Sequence, residues 1–206
     1  DVKNFKFAGK VPAAGQSITT LITPTVTATA TNGGATTSYP QFYLRVNAYD
    51  KFEDSDPAPI VKVDESTFIM ELFHGPTGCY KDFAISYFAS CLENILIMKD
   101  KTATILAVTN GVTGSCIVEA LKNKTRLKAI LLYTKGTLKH IDSECLIENG
   151  GNILAVEVNG TKEQCFEVVR EIFKDTEVSS QYNLTLANSV NIGRVLPMIF
   201  PYIYAF

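Results

Sequence analysis

Lys81 closes the run Leu72-Phe73-His74-Gly75-Pro76-Thr77-Gly78-Cys79-Tyr80 and directly precedes Asp82-Phe83-Ala84. A glycine- and proline-bearing loop thus delivers one amine to the mouth of a helix. Gly75, Pro76 and Gly78 favour a tight, preset backbone path. Asp82 suits the positive end of a helix dipole, whereas a lysine there does not. With Tyr80, Phe83 and Ala84 as neighbours, the amine loses part of its hydration, which favours the nucleophilic form that condenses with a carbonyl. The chemistry expected of Lys81 is therefore Schiff-base formation; a solvated lysine at a helix start is the competing reading.

Two further groupings carry polar chemistry. Thr109-Asn110-Gly111-Val112-Thr113-Gly114-Ser115 joins an apolar run to a helical one, so free N–H groups and hydroxyls converge where an anion is favoured. Ordinary capping explains the same residues. Asn188 and Ser189, followed by Arg194, offer an amide, a hydroxyl and a planar guanidinium fork that matches a phosphate; the alternative is an Asn-Ser cap with a solvent-facing arginine. His74 and His140 are the only histidines, which leaves little from which to build a histidine metal centre or a Ser-His-Asp triad. No metal is expected.

In this order, Leu-Phe-His-Gly-Pro-Thr with an aromatic-Lys-Asp, the Thr109 to Ser115 loop, and Asn188-Ser189-Val190-Asn191-Ile192-Gly193-Arg194-Val195-Leu196-Pro197 resemble threonine synthase. That family comprises pyridoxal 5'-phosphate (PLP) enzymes of fold type II. The resemblance runs from Pro57 to Phe206. It implies that Lys81 holds PLP through a Schiff base and moves protons on the substrate, with Gly111 and Val112 against the cofactor. It implies that Thr109, Asn110, Thr113, Asn188, Ser189 and Arg194 hold the phosphate of O-phosphohomoserine, and it places His74 near cofactor or substrate. The family loop reads Thr-Ser-Gly-Asp-Thr-Gly. Thr109, Gly111, Thr113 and Gly114 match it, while Asn110 and Val112 depart. A valine cannot hydrogen-bond the PLP hydroxyl that the family's Asp or Asn faces, so turnover is more in question than binding.

The activity implied is that of a PLP-dependent carbon-oxygen lyase of amino-acid biosynthesis, converting O-phosphohomoserine and water to threonine and phosphate. A phospho-lyase releasing a keto acid is the alternative within the family. A non-catalytic binding protein derived from the small domain is the alternative outside it. The family's glycine-rich cup for the PLP phosphate belongs to sequence beyond the matched stretch, so the chain is expected to lack the C-terminal half of the family.

Composition is consistent with an ordinary globular chain. Of 206 residues, 46% are hydrophobic and 19% charged, with a net charge of −2, which allows a sizeable core and offers nucleic acid no basic run. The five cysteines, Cys79, Cys91, Cys116, Cys145 and Cys165, form no Cys-x-x-Cys pair, as in a reduced, cytoplasmic protein. Glycosylation-type triplets at Asn123, Asn159 and Asn183 are short enough to be chance. No membrane-spanning run is expected.

Residues 1–54 are threonine-rich and alternate small apolar with hydroxyl residues from Thr25 to Thr31, ahead of an Asn32-Gly33-Gly34 turn. This reads as a β-hairpin or small sheet of unclear origin, with a Thr/Ala linker as the other possibility. Residues 55–206 read as an α/β domain. Two short strands, Ile60 to Val63 and Phe68 to Leu72, flank an Asp64-Glu65-Ser66 turn. A helix from Phe83 to Met98 is expected to bury Ala84, Phe88, Cys91, Leu92 and Ile95. Apolar strands are predicted at 104–108, 129–133, 153–158 and 184–187, and helices at 113–122, 138–148 and after the capping box Thr161-x-x-Gln164, the last burying Cys165, Val168, Val169, Ile172 and Phe173. A final helix toward Phe206 is broken near Pro197 and Pro201. Such alternation predicts a parallel sheet of about four strands with helices on both faces and ligands beyond the carboxyl ends of the strands. The apolar tail Met198 to Phe206 is expected to pack on another domain or subunit.

Overall fold

Strands whose side chains alternate between two covered faces form the centre of the molecule. The structure is a computed structural model and describes residues 48–53, 56–138, 140–147 and 150–205. The β-rich reading of residues 1–54 therefore lies, but for 48–53, outside the described residues. Strands β1 (Ile60–Lys62) and β2 (Phe68–Met70) form a separate antiparallel hairpin. Its turn is tied by Asp64, whose Oδ1 accepts from Ser66 N at 2.9 Å and Thr67 N at 2.8 Å, a side-chain mimic of a backbone turn.

The main sheet contains β3 (Ala103–Val108), β4 (Leu127–Thr134), β5 (Ile153–Val158) and β6 (Leu184–Thr185), all parallel, in the order β5-β4-β3-β6. Period two sorts each strand. Ile105, Ala107, Leu127, Ala129, Leu131 and Ile153 point to one face. Leu106, Ile130, Leu132 and Val156 point to the other. The first face packs on α1 (Lys81–Met98), α2 (Val112–Leu121) and α3 (His140–Ile147), the second on α4 (Lys162–Lys174). The predicted doubly covered α/β sheet is the one observed, with strand and helix bounds within a few residues of expectation.

The α4 capping box forms as predicted, Gln164 N donating to Thr161 Oγ1 at 3.3 Å and Thr161 N to Gln164 Oε1 at 2.8 Å. Two buried faces differ in part from expectation. On α1 Ala84 and Phe88 are buried as expected, together with Ile85, Ala89 and Leu96, while Cys91 and Leu92 are half-buried and Ile95 is exposed. The reason is that α1 lies between α2 on one side and the C-terminal helical segment on the other, so a single stripe does not describe it. On α4, Val168 is exposed while Cys165 and Val169 are buried. A short helix α5 (Thr176–Gln181), capped by Asp175, was not anticipated. The last helix is three pieces, α6 (Ile192–Val195), a 3-10 turn (Leu196–Ile199) and α7 (Phe200–Ala205), divided where the prolines stand. Among the described residues no helix is long and apolar enough to cross a membrane, and no cluster of His, Cys, Asp and Glu could hold a metal ion.

Candidate active site

Because β6 returns to the far side of β3, the order of the sheet reverses between these two neighbours. The turns leaving their carboxyl ends therefore diverge and leave a crevice, the place where open α/β sheets bind ligands. Three stretches converge there: the turn after β3, the turn after β6, and the loop before α1.

The turn after β3 is held from within. Thr109 is buried, and its Oγ1 accepts from Gly111 N at 3.0 Å and Gly114 N at 2.8 Å. The acceptor capacity of this hydroxyl is thus used in shaping the loop. Gly111 sits at φ 115° and ψ −70°, a conformation L side chains avoid, and it turns the chain directly into α2 with no side-chain cap. The N–H groups of Val112 and Thr113, first in the helix, are without intrahelical acceptors. Asn110 is exposed, and Val112 is 43% exposed on the same rim.

Lys81 is the first residue of α1 and is half-buried. Its Nζ reaches across to α2 and donates to Thr113 Oγ1 at 3.1 Å. No ion pair joins it to a carboxylate among the described residues. A cation at the positive end of a helix without an acidic partner calls for a reason other than ion pairing.

Asp82 stands in the first turn of α1, as its charge suits. It is 1% exposed and folded back on its own loop, accepting from Thr77 N at 2.9 Å and from Thr77 Oγ1 at 2.9 Å. The same Oγ1 lies 3.2 Å from Cys116 Sγ of α2. Burial, then the nearby Asp82, pushes the Cys116 thiol well up, so it stays a thiol. His74 meets Glu71, Nε2 to Oε2 at 2.7 Å. Residues 48–53 buttress this loop: Glu53 N donates to His74 O at 3.0 Å, and Tyr49 and Phe52 form edge and tilted ring contacts with Phe83.

From the third stretch, Asn188 is half-buried and its Oδ1 accepts from Val190 N at 3.1 Å, while Ser189 is exposed. Asn191 caps α6, with Gly193 N donating to its Oδ1 at 2.9 Å, and its Nδ2 donates to Leu186 O at 2.5 Å. Arg194 donates from Nη1 to Ala187 O at 3.1 Å. Burial pushes its guanidinium down, and the helix that carries it, α6, packs on α1. A separate hollow of about 520 Å³ lies on the α4 side of the sheet, lined by Val108, Phe166, Phe173 and Leu186 among others, and it shares only Asn188 with the predicted site.

The structure thus brings Lys81 against Thr113, packs the helix that carries Arg194 on α1, and leaves Asn110, Val112 and Ser189 on the surface. Sequence reasoning missed the Asp82, Thr77 and Cys116 contacts and the capping role of Asn191. The Thr77-to-Asp82 spacing within one loop was the available signal for the first.

No family model matches the chain. Threonine synthase of Buchnera aphidicola subsp. Baizongia pistaciae is 35% identical over 147 residues, 71% of this chain and 34% of that protein. The Escherichia coli enzyme is 36% identical over 149 residues, 72% of this chain and 34% of that protein. This chain is a relative of the threonine synthases. The likeness is equally one of structure: the PLP-bound threonine synthase from Brucella melitensis superposes with a TM-score of 0.71 at 29% identity, covering 77% of this chain and 34% of that one. The chain spans about a third of the length of the threonine synthases it matches.

Proposed function

We propose that this chain carries the lysine-bearing part of a threonine synthase-like, fold type II PLP enzyme that converts O-phosphohomoserine and water to threonine and phosphate. The observation that carries the reading is the Lys81 Nζ to Thr113 Oγ1 contact at 3.1 Å, made where the sheet order reverses. The residues present fit the cofactor's reactive end: an amine with no carboxylate partner among the described residues, reaching across to the helix that a glycine turn opens. Bound PLP supplies an electron sink for charge developing on the substrate carbon.

The chain's own residues supply the remaining steps. Lys81 holds the cofactor and carries a proton on Nζ to and from the substrate. Thr113 Oγ1 fixes where that nitrogen sits. The free N–H groups of Val112 and Thr113, with Asn110, Asn188, Ser189 and Arg194, offer donors to the leaving phosphate, while Thr109 keeps their loop in shape. A phospho-lyase that ends in a keto acid uses the same residues.

Val112 favours a second reading. It presents an exposed apolar side chain at the rim, which suits a non-catalytic binding protein better than a site that polarises a ring hydroxyl. Five cysteines with no Cys-x-x-Cys pair suit a reducing, cytoplasmic setting. The exposed apolar tail is assigned to packing on another domain or subunit.

The deciding experiment adds PLP to the chain, fixes any adduct with borohydride, and maps it by peptide mass spectrometry. Lys81 is expected to be labelled ahead of the other lysines, and Lys81→Ala to lose that peptide's label. Labelling spread evenly over surface lysines would leave the non-catalytic reading in place.

A further inference from the structure

The amine is held by contacts that run backwards through the chain. Asp82 follows Lys81 directly, yet its carboxylate turns away from the crevice and binds Thr77 five residues earlier through a backbone and a side-chain donor. The loop between them is closed by Gly78 N donating to Gly75 O at 2.9 Å and Asp82 N donating to Cys79 O at 2.9 Å. Its packing leaves no slack, since a Cβ on Gly75 would stand 2.6 Å from the Asp82 side chain.

Thr77 has one hydroxyl hydrogen. A carboxylate only accepts, so that hydrogen goes to Asp82, and at the 3.2 Å contact with Cys116 the thiol must be the donor. The order of donation is then Cys116 S–H to Thr77 O–H to Asp82, with Asp82 and Cys116 buried and Thr77 half-buried between them. Cys116 lies on the same helix, one turn along from Thr113. A carboxylate taken out of water is retained only where donors compensate it, and these donors tie the mouth of α1 to α2.

We propose that Asp82, acting through Thr77 and Cys116, is the positioning residue for Lys81: the clasp sets the first turn of α1 against the first turn of α2 so that Nζ arrives at Thr113 Oγ1. Asp82 touches neither cofactor nor substrate. Its effect is on where the amine sits, not on the chemistry of the amine.

The proposal rests on the reading of Lys81 as the PLP lysine, and the test separates the two. Thr77→Val removes the hydroxyl while keeping the size of the side chain; Thr77→Ser restores it; Asp82→Asn alters the acceptor. Each full chain is first checked for cooperative thermal unfolding. Lys81 reactivity is then read in two ways by mass spectrometry, as the rate of PLP labelling fixed by borohydride and as acetylation by acetic anhydride relative to the other lysines. In folded Thr77→Val the PLP labelling rate of Lys81 is expected to fall by about tenfold or more, its acetylation relative to other lysines to change, and both to return in Thr77→Ser. A folded Thr77→Val or Asp82→Asn chain whose Lys81 reacts like the parent with both reagents overturns the clasp. If the parent shows no preferential PLP labelling, the PLP reading fails by itself, and the acetylation pattern still decides the clasp. If Asp82→Asn does not fold, the Thr77 pair decides.

Discussion

A single backbone angle decides whether the turn after β3 can exist. Gly111 at φ 115° lies where a Cβ is strained, so Gly111→Ala is expected to cost about 1–3 kcal/mol, read as a lowered urea midpoint at unchanged slope. An unchanged midpoint would mean the turn relaxes without penalty. Asp64 gives a pH prediction of defined sign. Backbone donation from Ser66, chiefly, holds its carboxyl below the usual range. A depressed folded value means that the turn is favoured above the ordinary carboxylate pKa and loses that support as pH falls through the lowered one. The amide resonances of Ser66 and Thr67 should report this titration and Asp64→Asn should abolish it; a flat profile in the parent would contradict it.

Between elements, the most telling polar contact is Glu93 of α1. It is buried, and it accepts from Thr125 N at 2.8 Å, Thr125 Oγ1 at 3.0 Å and Arg126 N at 3.1 Å. The carboxylate therefore fixes the start of β4 to the helix that carries the lysine. Glu93→Ala would leave those donors unpartnered and is expected to destabilise by about 2–4 kcal/mol, measured by urea unfolding. A loss under about 1 kcal/mol would show that water replaces the carboxylate freely. Helical pattern placed α1 correctly and its buried face in part: Ala84 and Phe88 are buried, Ile95 is exposed. A helix held between two neighbours buries residues outside any single stripe, and Glu93 reads in sequence as an ordinary surface acid.

At the scale of the whole molecule, exposed apolar side chains gather in two places. One is the hairpin, with Val61, Phe68 and Ile69; the other is the C-terminal segment, with Ile192, Leu196, Tyr202 and Ile203. The tail is nonetheless anchored, by Pro197 and Pro201 in the core, by an edge contact of Phe200 with Tyr87 at 4.9 Å, and by Tyr204 Oη donating to Asp56 Oδ2 at 2.8 Å. Large exposed apolar patches mark interaction sites, which is the ground for the packing proposed above. The chain is expected to associate with rising concentration in sedimentation velocity, and Tyr202→Glu with Ile203→Glu to shift it toward monomer. A monomer at every concentration, with these side chains open to solvent, would count against the assigned packing.

The residue pattern alone determined the parallel strands, their alternating burial, the Thr161 cap and the loop that presents Lys81, because each depends on neighbours a few positions away in the chain. Which groups face one another did not follow from it. That Lys81 meets Thr113, that the helix carrying Arg194 packs on α1, and that Asp82 turns inward to Thr77 were decided by β6 pairing with β3 and by α1 packing on α2. The Lys81 contact joins residues 32 apart in sequence, and no local propensity encodes the distance between them; the Asp82 contact spans five residues, and only its inward direction depends on the packing.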